Sequence, residues 1–359
     1  MSERTTQQRY MPQANRAAFL DTLSDYGGTA RTRLLEQIPM TEPFDHLYGP
    51  MRAFIENSGK GLRPALLLAT CKAFGGSPDD ALQSAATLEL LHNAFLIHDD
   101  IEDISDFRRG RPCEHHTIGV PLAVNLGDAM QSLALRLLRH NIGPLDPRTA
   151  AQVLGEFDHL LMQSIEGQAL ELGMIRDNAL NVGPSDYLRM TLKKTCWYSF
   201  IHPCRIGALI ARPDDVASGR LNLDDFNAFG FFLGAAFQIQ DDVLNVIGSQ
   251  KAYGKEIGGD IFEGKRTLML ARLASLAEPL ERSTLERFLA QPRAERSEDE
   301  VGWIMERMHA YDCIPYAQSA ARDLLAEAQK AYVPLFAGTL PEDSRFIADL
   351  MDYMLSRDR

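Results

Sequence analysis

Cysteine is scarce in this chain of 359 residues, and its five copies, Cys71, Cys113, Cys196, Cys204 and Cys313, are odd in number with no paired short spacing. That pattern excludes a disulfide framework and fits free thiols in a reducing compartment. Long apolar runs are missing too. No stretch reaches the ~20 residues that a bilayer-spanning helix needs, and the first thirty residues are polar, mixed in charge and without the apolar segment of a leader. The chain is expected to be cytoplasmic. Basic residues are in deficit, 37 Lys and Arg against 49 Asp and Glu, for a formal net charge of -12. This excludes a protein that coats nucleic acid through its phosphates, and an anionic ligand must be met by local clusters. Alternating polarity between tight hairpin turns is also absent, so a sandwich or barrel is not expected.

What is present is hydrophobic residue at 45% of the chain, enough for a sizeable core, with apolar positions recurring every three or four residues. The spacing predicts an all-α protein with helices near 14–38, 43–57, 62–74, 80–105, 120–140, 147–174, 185–211, 222–248, 263–277, 280–290, 298–311, 314–335 and 341–357. Glycine and proline break it at Gly75-Gly76-Ser77-Pro78, Gly143-Pro144, Gly183-Pro184, Arg212-Pro213 and Gln291-Pro292. Ser297 followed by Glu300 has the form of a capping box. Residues 1–40 read as an N-terminal helical extension and 41–359 as one helical domain.

Two helical stretches, Ala81 to Ile97 and Ala228 to Ile239, are apolar nearly all round, as befits the middle of a bundle. Each runs into an acidic cluster: Asp99-Asp100-Ile101-Glu102-Asp103 in the first case, Asp241-Asp242-Val243-Leu244-Asn245 in the second. Residues four apart share a helix face, so Asp99 aligns with Asp103 and Asp241 with Asn245. Like charges so placed repel, and a divalent cation between two such edges reverses the sign. Hard oxygen donors in opposing pairs suit Mg²⁺, whose coordination is usually completed by water and substrate phosphate. The phosphate needs cations, and short basic clusters offer them: Lys60 and Arg63, Arg108 and Arg109, Lys194, Lys255 and Lys265. Phe231, Phe232 and Phe237 are expected to pack the core.

Several segments occur in a characteristic order: Gly59-Lys60-Gly61-Leu62-Arg63-Pro64, His92 followed by Asp99 to Asp103, Arg108-Arg109-Gly110-Arg111-Pro112, Gly127-Asp128, Gly167-Gln168, Lys194-Thr195, Phe237-Gln238-Ile239-Gln240-Asp241-Asp242, and Gly254-Lys255 through Gly259-Asp260 to Gly264-Lys265. With them the chain resembles the trans-isoprenyl diphosphate synthases of the polyprenyl synthetase family. The resemblance implies an isoprenoid synthase helical bundle with a central cavity, a homodimer, and a Mg²⁺-dependent head-to-tail condensation of isopentenyl diphosphate with an allylic diphosphate. It implies three ions with diphosphate bound, held by Asp99, Asp103 and Asp241, with Asn245 keeping one metal-facing oxygen. Lys194, Lys255, Lys265 and Arg108 would meet the allylic phosphates. Lys60, Arg63, His92 and Arg109 would hold isopentenyl diphosphate, and Thr195 and Gln238 would line the region where the allylic cation forms. Lys194, Thr195, Gln238 and Lys255 are thus the candidate catalytic set.

The chain departs from the family's pattern in three places. Asn245 stands where aspartate is usual, Gly61 where arginine is frequent, and Met269 where proline follows Thr267-Leu268. Product length in the family depends on bulk just upstream of the first aspartate, here Ala94 and Phe95, and points to a twenty-carbon geranylgeranyl product with a fifteen-carbon one as its neighbour. Asn245 also raises the alternative of a terpene cyclase on the same scaffold, and a non-catalytic partner subunit is the third reading. Retention of Lys60, Arg63 and His92 speaks against the cyclase.

Overall fold

Helix starts fall where the sequence marks its breaks. Ser77 Oγ accepts the Asp79 N–H at 3.3 Å ahead of Pro78, and Asp146 Oδ1 accepts the N–H groups of Arg148 and Thr149 at 3.0 and 3.1 Å ahead of Pro147. Proline at the first helical position gives up no intrahelical bond. Ser297 and Glu300 close the expected capping box, each side chain taking the other's N–H.

The computed structural model describes residues 13–141, 144–248 and 256–355. In chain order its helices are α1 (Gln13–Gln37), α2 (Gly49–Glu56), α3 (Leu62–Ala73), α4 (Pro78–Glu102), α5 (Glu114–Thr117), α6 (Val120–Leu138), α7 (Pro147–Arg176), α8 (Pro184–Thr191), α9 (His202–Ala211), α10 (Pro213–Ala217) and α11 (Asp225–Ile247). After these come α12 (Gly259–Glu263), α13 (Leu268–Leu276), α14 (Pro279–Ala290), α15 (Glu298–Ala310), α16 (Cys313–Leu335) and α17 (Pro341–Leu355). The fold is all-α, as expected, and the two apolar helices are central. α4 packs against α1, α3 and α6, while α11 packs against α16 and the segment joining α8 to α9. All five cysteines are buried, and no two of them form a disulfide. Among the described residues no helix is long and apolar enough to cross a membrane.

Three local features differ from the periodicity reading. Phe107–Arg108 and Arg111–Pro112 form an antiparallel pair, β1 and β2, turned by Arg109 and Gly110 at φ 53 and 75. Two successive positive φ values make the turn that two-residue hairpins prefer, and the strands are too short to leave an alternating pattern. The helix expected over 263–277 is interrupted at Gly264 (φ 74), which ends α12 and lets Lys265, Arg266 and Thr267 run non-helically to α13. The helix expected over 185–211 is continuous, but Leu192–Ile201 is wound as a π-helix between α8 and α9. That wider winding is uncommon and concentrates at functional sites.

α1 packs against both large cores: Ala30 and Leu34 lie in the cluster that contains α4, and Phe19 and Leu23 in the one that contains α17. Gly61 explains one sequence departure. It precedes α3 in the left-handed region (φ 69), and a Cβ there would lie 2.6 Å from the Gly27 Cα of α1. A side chain at position 61 has neither the backbone conformation nor the room.

Candidate active site

A cavity of about 320 Å³ opens where α4 and α11 run into their acidic clusters. Its walls carry Asp99 of α4 and Asp103 at its C-terminal cap, Asp241 and Asp242 of α11, Asp260 of α12, and Glu171 of α7. Arg63, Arg108, Arg109, Lys194, Lys265 and Arg266 line the same space, with His92, Thr195, Gln238 and Phe237. Acid and base thus meet across one opening, although their segments lie as far apart in sequence as residues 63 and 267. Phe237, expected to pack the core, also lines the cavity while packing on Phe200 with ring centroids 5.4 Å apart.

The acidic edges are electrostatically loaded. Burial pushes the Asp99 carboxyl up to about 6, and Asp103 beside it adds to the rise against the pull of Lys194 and Lys265. Burial and the adjacent Asp260 likewise hold Asp242 well above the usual carboxylate range. Lys265 Nζ lies 2.7 Å from Asp103 Oδ2 and 2.5 Å from Glu263 Oε2, and Lys194 pairs with Glu171. Burial alone would depress both ammonium groups, but these carboxylates raise them, so the lysines stay charged. The donor set is what a hard divalent cation prefers: carboxylate oxygens, partly buried and mutually repelling. Among the described residues no three His, Cys, Asp or Glu side chains converge closely enough to hold a metal by themselves. Asp99, Asp103 and Asp241 therefore fit Mg²⁺ with water and phosphate completing its shell, rather than a closed protein cage.

The basic wall is held by hydrogen bonds of its own. Arg63 donates to Ser199 Oγ at 3.0 Å and to Tyr198 Oη at 2.8 Å, and its guanidinium lies 3.1 Å from His92 Nε2. Because arginine is a donor only, Nε2 must accept and the imidazole carries its proton on Nδ1. Burial, with Arg63, Arg109 and Arg108 nearby, keeps His92 well below its ordinary value and so neutral. Burial and the neighbouring arginines also draw Arg109 down to about 10. Arg108 is clamped on the buried Asp100, its Nε 2.7 and 2.8 Å from the two carboxylate oxygens.

Gln238 Oε1 accepts the Thr195 hydroxyl at 2.9 Å, and Gln238 Nε2 donates to Asp242 Oδ1 at 2.8 Å. Gly167 of α7 lets the π-helical segment approach, since a Cβ there would collide with the backbone nitrogen of Lys194. A second cavity of about 200 Å³ adjoins the first, sharing Asp99, Lys194 and Tyr198 with it and bounded beyond them by Phe95, His98, Gln131, Ser164 and Ile165.

Not every expected residue reaches the cavity. Asn245 is buried but is not among the lining residues: its Oδ1 accepts the Asp260 N–H at 3.1 Å and its Nδ2 reaches the Glu256 carbonyl at 3.5 Å. The expectation of a metal-facing oxygen is corrected, because that oxygen secures α12, which carries Asp260. Lys60 also lies off the cavity, with Nζ donating to Tyr353 Oη of α17 at 3.0 Å. Lys255 falls outside the described residues. Ala94 is buried and does not line the second cavity, whereas Phe95 does. Sequence reading passed over Glu171 and Tyr187. Each carried a faint signal, Glu171 one helical turn beyond Gly167 and Tyr187 seven residues before Lys194.

Comparison with known proteins identifies the family and the fold. The polyprenyl synthetase family model matches residues 44–308. The short chain isoprenyl diphosphate synthase of Methanothermobacter thermautotrophicus is 32% identical over 334 residues, 92% of this chain and 97% of that protein. The crystal structure of a geranylgeranyl pyrophosphate synthetase from Pyrococcus horikoshii superposes with a TM-score of 0.81 at 27% identity, over 95% of this chain and 99% of that one. A polyprenyl synthase from Caulobacter crescentus, solved with calcium and isoprenyl diphosphate, gives 0.80 at 27% identity, over 95% and 98%. Fold, site and similarity over nearly the whole length converge: the chain belongs to the polyprenyl synthetase family.

Proposed function

We propose that the protein is a Mg²⁺-dependent prenyltransferase that joins isopentenyl diphosphate head-to-tail to an allylic diphosphate and releases a short-chain product, geranylgeranyl diphosphate. The observation that carries this reading is the single cavity on which two acidic edges and two basic groups open together. Asp99, Asp103 and Asp241 would hold the metal, three ions when diphosphate is bound. Mg²⁺ so bound supplies Lewis-acid stabilisation of the departing pyrophosphate. Lys194, Lys265 and Arg108 contribute positive charge along the allylic phosphates, and Lys255 belongs with them by its motif. Arg63, His92 and Arg109 face the other diphosphate from the opposite side, with Lys60 on the loop before α3. Thr195 and Gln238 offer oxygen atoms where the allylic cation forms, a placement that stabilises developing positive charge.

Phe95 at the second cavity supports a product of limited length, since its ring stands against Tyr198 with centroids 5.5 Å apart. In this reading the enzyme is a cytoplasmic homodimer. Leu154, Met162 and Ile165, each about half exposed on one side of α7, support the dimer. We retain residues 1–40 as an extension to a domain over 41–359; the family match beginning at residue 44 supports this boundary in sequence.

The test is incubation of purified protein and Mg²⁺ with farnesyl diphosphate, with and without labelled isopentenyl diphosphate, and mass spectrometry of all products. Label in a twenty-carbon diphosphate is the expected outcome. An unlabelled hydrocarbon formed without the second substrate would identify a cyclase, and no product from any allylic primer would point to a partner subunit.

A further inference from the structure

We infer that Tyr187 is a positioning residue for the condensation, acting through Asp242 to fix the amide of Gln238 and, through it, the hydroxyl of Thr195. The inference rests on the prenyltransferase reading above. Four side chains from three segments form one relay. Tyr187 of α8, only 1% exposed, donates its hydroxyl to Asp242 Oδ2 at 2.7 Å. Asp242 Oδ1 takes the Gln238 Nε2–H at 2.8 Å, and Gln238 Oε1 takes the Thr195 hydroxyl at 2.9 Å. Tyr187, Thr195, Gln238 and Asp242 all line the main cavity.

Direction is what the relay determines. A glutamine amide has two nearly isosteric orientations that exchange oxygen for nitrogen. Donation from Nε2 to Asp242 selects the one that leaves Oε1 on the Thr195 side. The single Thr195 proton is then spent on Oε1, so both groups have oxygen lone pairs on the cavity side. Oxygen lone pairs stabilise a carbocation, whereas an amide NH₂ turned the same way repels it. Asp242 can hold this orientation only while its own carboxyl is fixed, and the Tyr187 hydroxyl is what fixes the second oxygen. Removal of that hydroxyl frees the carboxyl to rotate and releases the amide to both orientations.

A misdirected amide leaves the cation longer exposed to water. The allylic carbon–oxygen bond still breaks with its electron pair leaving on pyrophosphate; water oxygen then bonds to the carbon and gives up a proton to the pyrophosphate. The product is an allylic alcohol in place of a longer diphosphate. A role confined to packing would change neither this partition nor the dependence on Gln238.

The experiment is a double-mutant cycle of Tyr187→Phe and Gln238→Ala in the full-length protein, with Mg²⁺, farnesyl diphosphate and labelled isopentenyl diphosphate, rates being expressed per folded molecule by circular dichroism. Tyr187→Phe is expected to lower kcat about tenfold, to leave both KM values within about twofold, and to raise the alcohol fraction several-fold. In the Gln238→Ala background the same change should alter kcat by less than about twofold. An unchanged kcat, a rise in KM alone, or a tenfold loss that repeats without Gln238 would overturn the inference. Should Tyr187→Phe fail to fold, Asp242→Asn tests the same link by the same cycle, because its amide lacks the second acceptor oxygen. A wild-type protein that never incorporates label refutes the prenyltransferase reading and the inference with it; an active wild type beside an unaffected variant refutes the inference alone.

Discussion

Asn245 is the residue at which family pattern and local structure part most clearly. Its oxygen takes the Asp260 N–H and its nitrogen reaches a carbonyl, so the amide serves as a two-sided clip between α11 and the segment around α12. Asn245→Asp keeps the acceptor, loses the donor and adds a nearly fully buried carboxylate close to Asp260. In metal-free protein this should cost about 1–3 kcal/mol, the usual range for an uncompensated buried polar group, and Mg²⁺ should recover little of it, because position 245 does not line the cavity. Chemical denaturation with EDTA and with Mg²⁺ checks both halves, while kcat at saturating Mg²⁺ should stay within about tenfold. Most cavity-lining residues were legible in the sequence because short contiguous motifs bear them: Asp99 and Asp103, Arg108 and Arg109, Lys194 and Thr195, Gln238 and Asp241. Asn245 was misread, and the Lys60–Tyr353 contact was invisible, because Asp260 and Tyr353 come from elements that sequence does not place beside them. Tyr187 escaped for the same reason, since its meaning lies wholly in Asp242 across the helix interface.

At the scale of elements, polar cross-links tie α9, which continues the π-helical segment, to α7 and to the start of α11. Glu156 of α7 takes hydrogen bonds from His202 at 2.8 Å and from Arg205 at 2.7 and 2.8 Å, both on α9, and Arg205 reaches Asp224 beside α11 at 2.8 Å. Burial alone would raise the Glu156 carboxyl, but Arg205 and His202 override it and hold it down to about 2. An acid whose folded value is depressed adds stability above its unfolded value, and loses it as pH falls through the folded one. Glu156→Gln should therefore cost roughly 3 kcal/mol at neutral pH, from 1.36 kcal/mol per unit of pKa, and less than half as much near pH 3. Urea denaturation of both proteins across pH 3 to 7 measures that narrowing; a constant difference would show that shape rather than charge joins the helices. The order and most ends of the long helices were readable because three- and four-residue spacing and the Ser77-Pro78 and Gly183-Pro184 breaks report on local backbone. The Arg109–Gly110 hairpin, the π-helical winding and the Gly264 break were not, since single positive φ values and an extra residue per turn leave apolar periodicity almost unchanged.

For the molecule as a whole, the residues that line the cavity say nothing of a second copy. The argument for a dimer is instead the outward row on α7. Leu154, Met162 and Ile165 are 49%, 50% and 50% exposed, and separations of eight and three residues keep them on one side of the helix. Such a row facing water loses the ~25 cal/mol per Å² that its burial would contribute, and packing it against the same row of a second copy is the simplest closed arrangement. Sequence could place these residues on a helix, but nothing in a single chain's periodicity tells an inner apolar face from one that a partner covers. Leu154→Glu combined with Met162→Glu is expected to halve the mass seen by sedimentation while leaving helix content unchanged, because neither side chain belongs to the buried cores. The monomer so produced should keep measurable turnover at low concentration and melt earlier. A wild type that sediments as a monomer, or a variant that stays dimeric, would move the interface elsewhere on the surface or remove it.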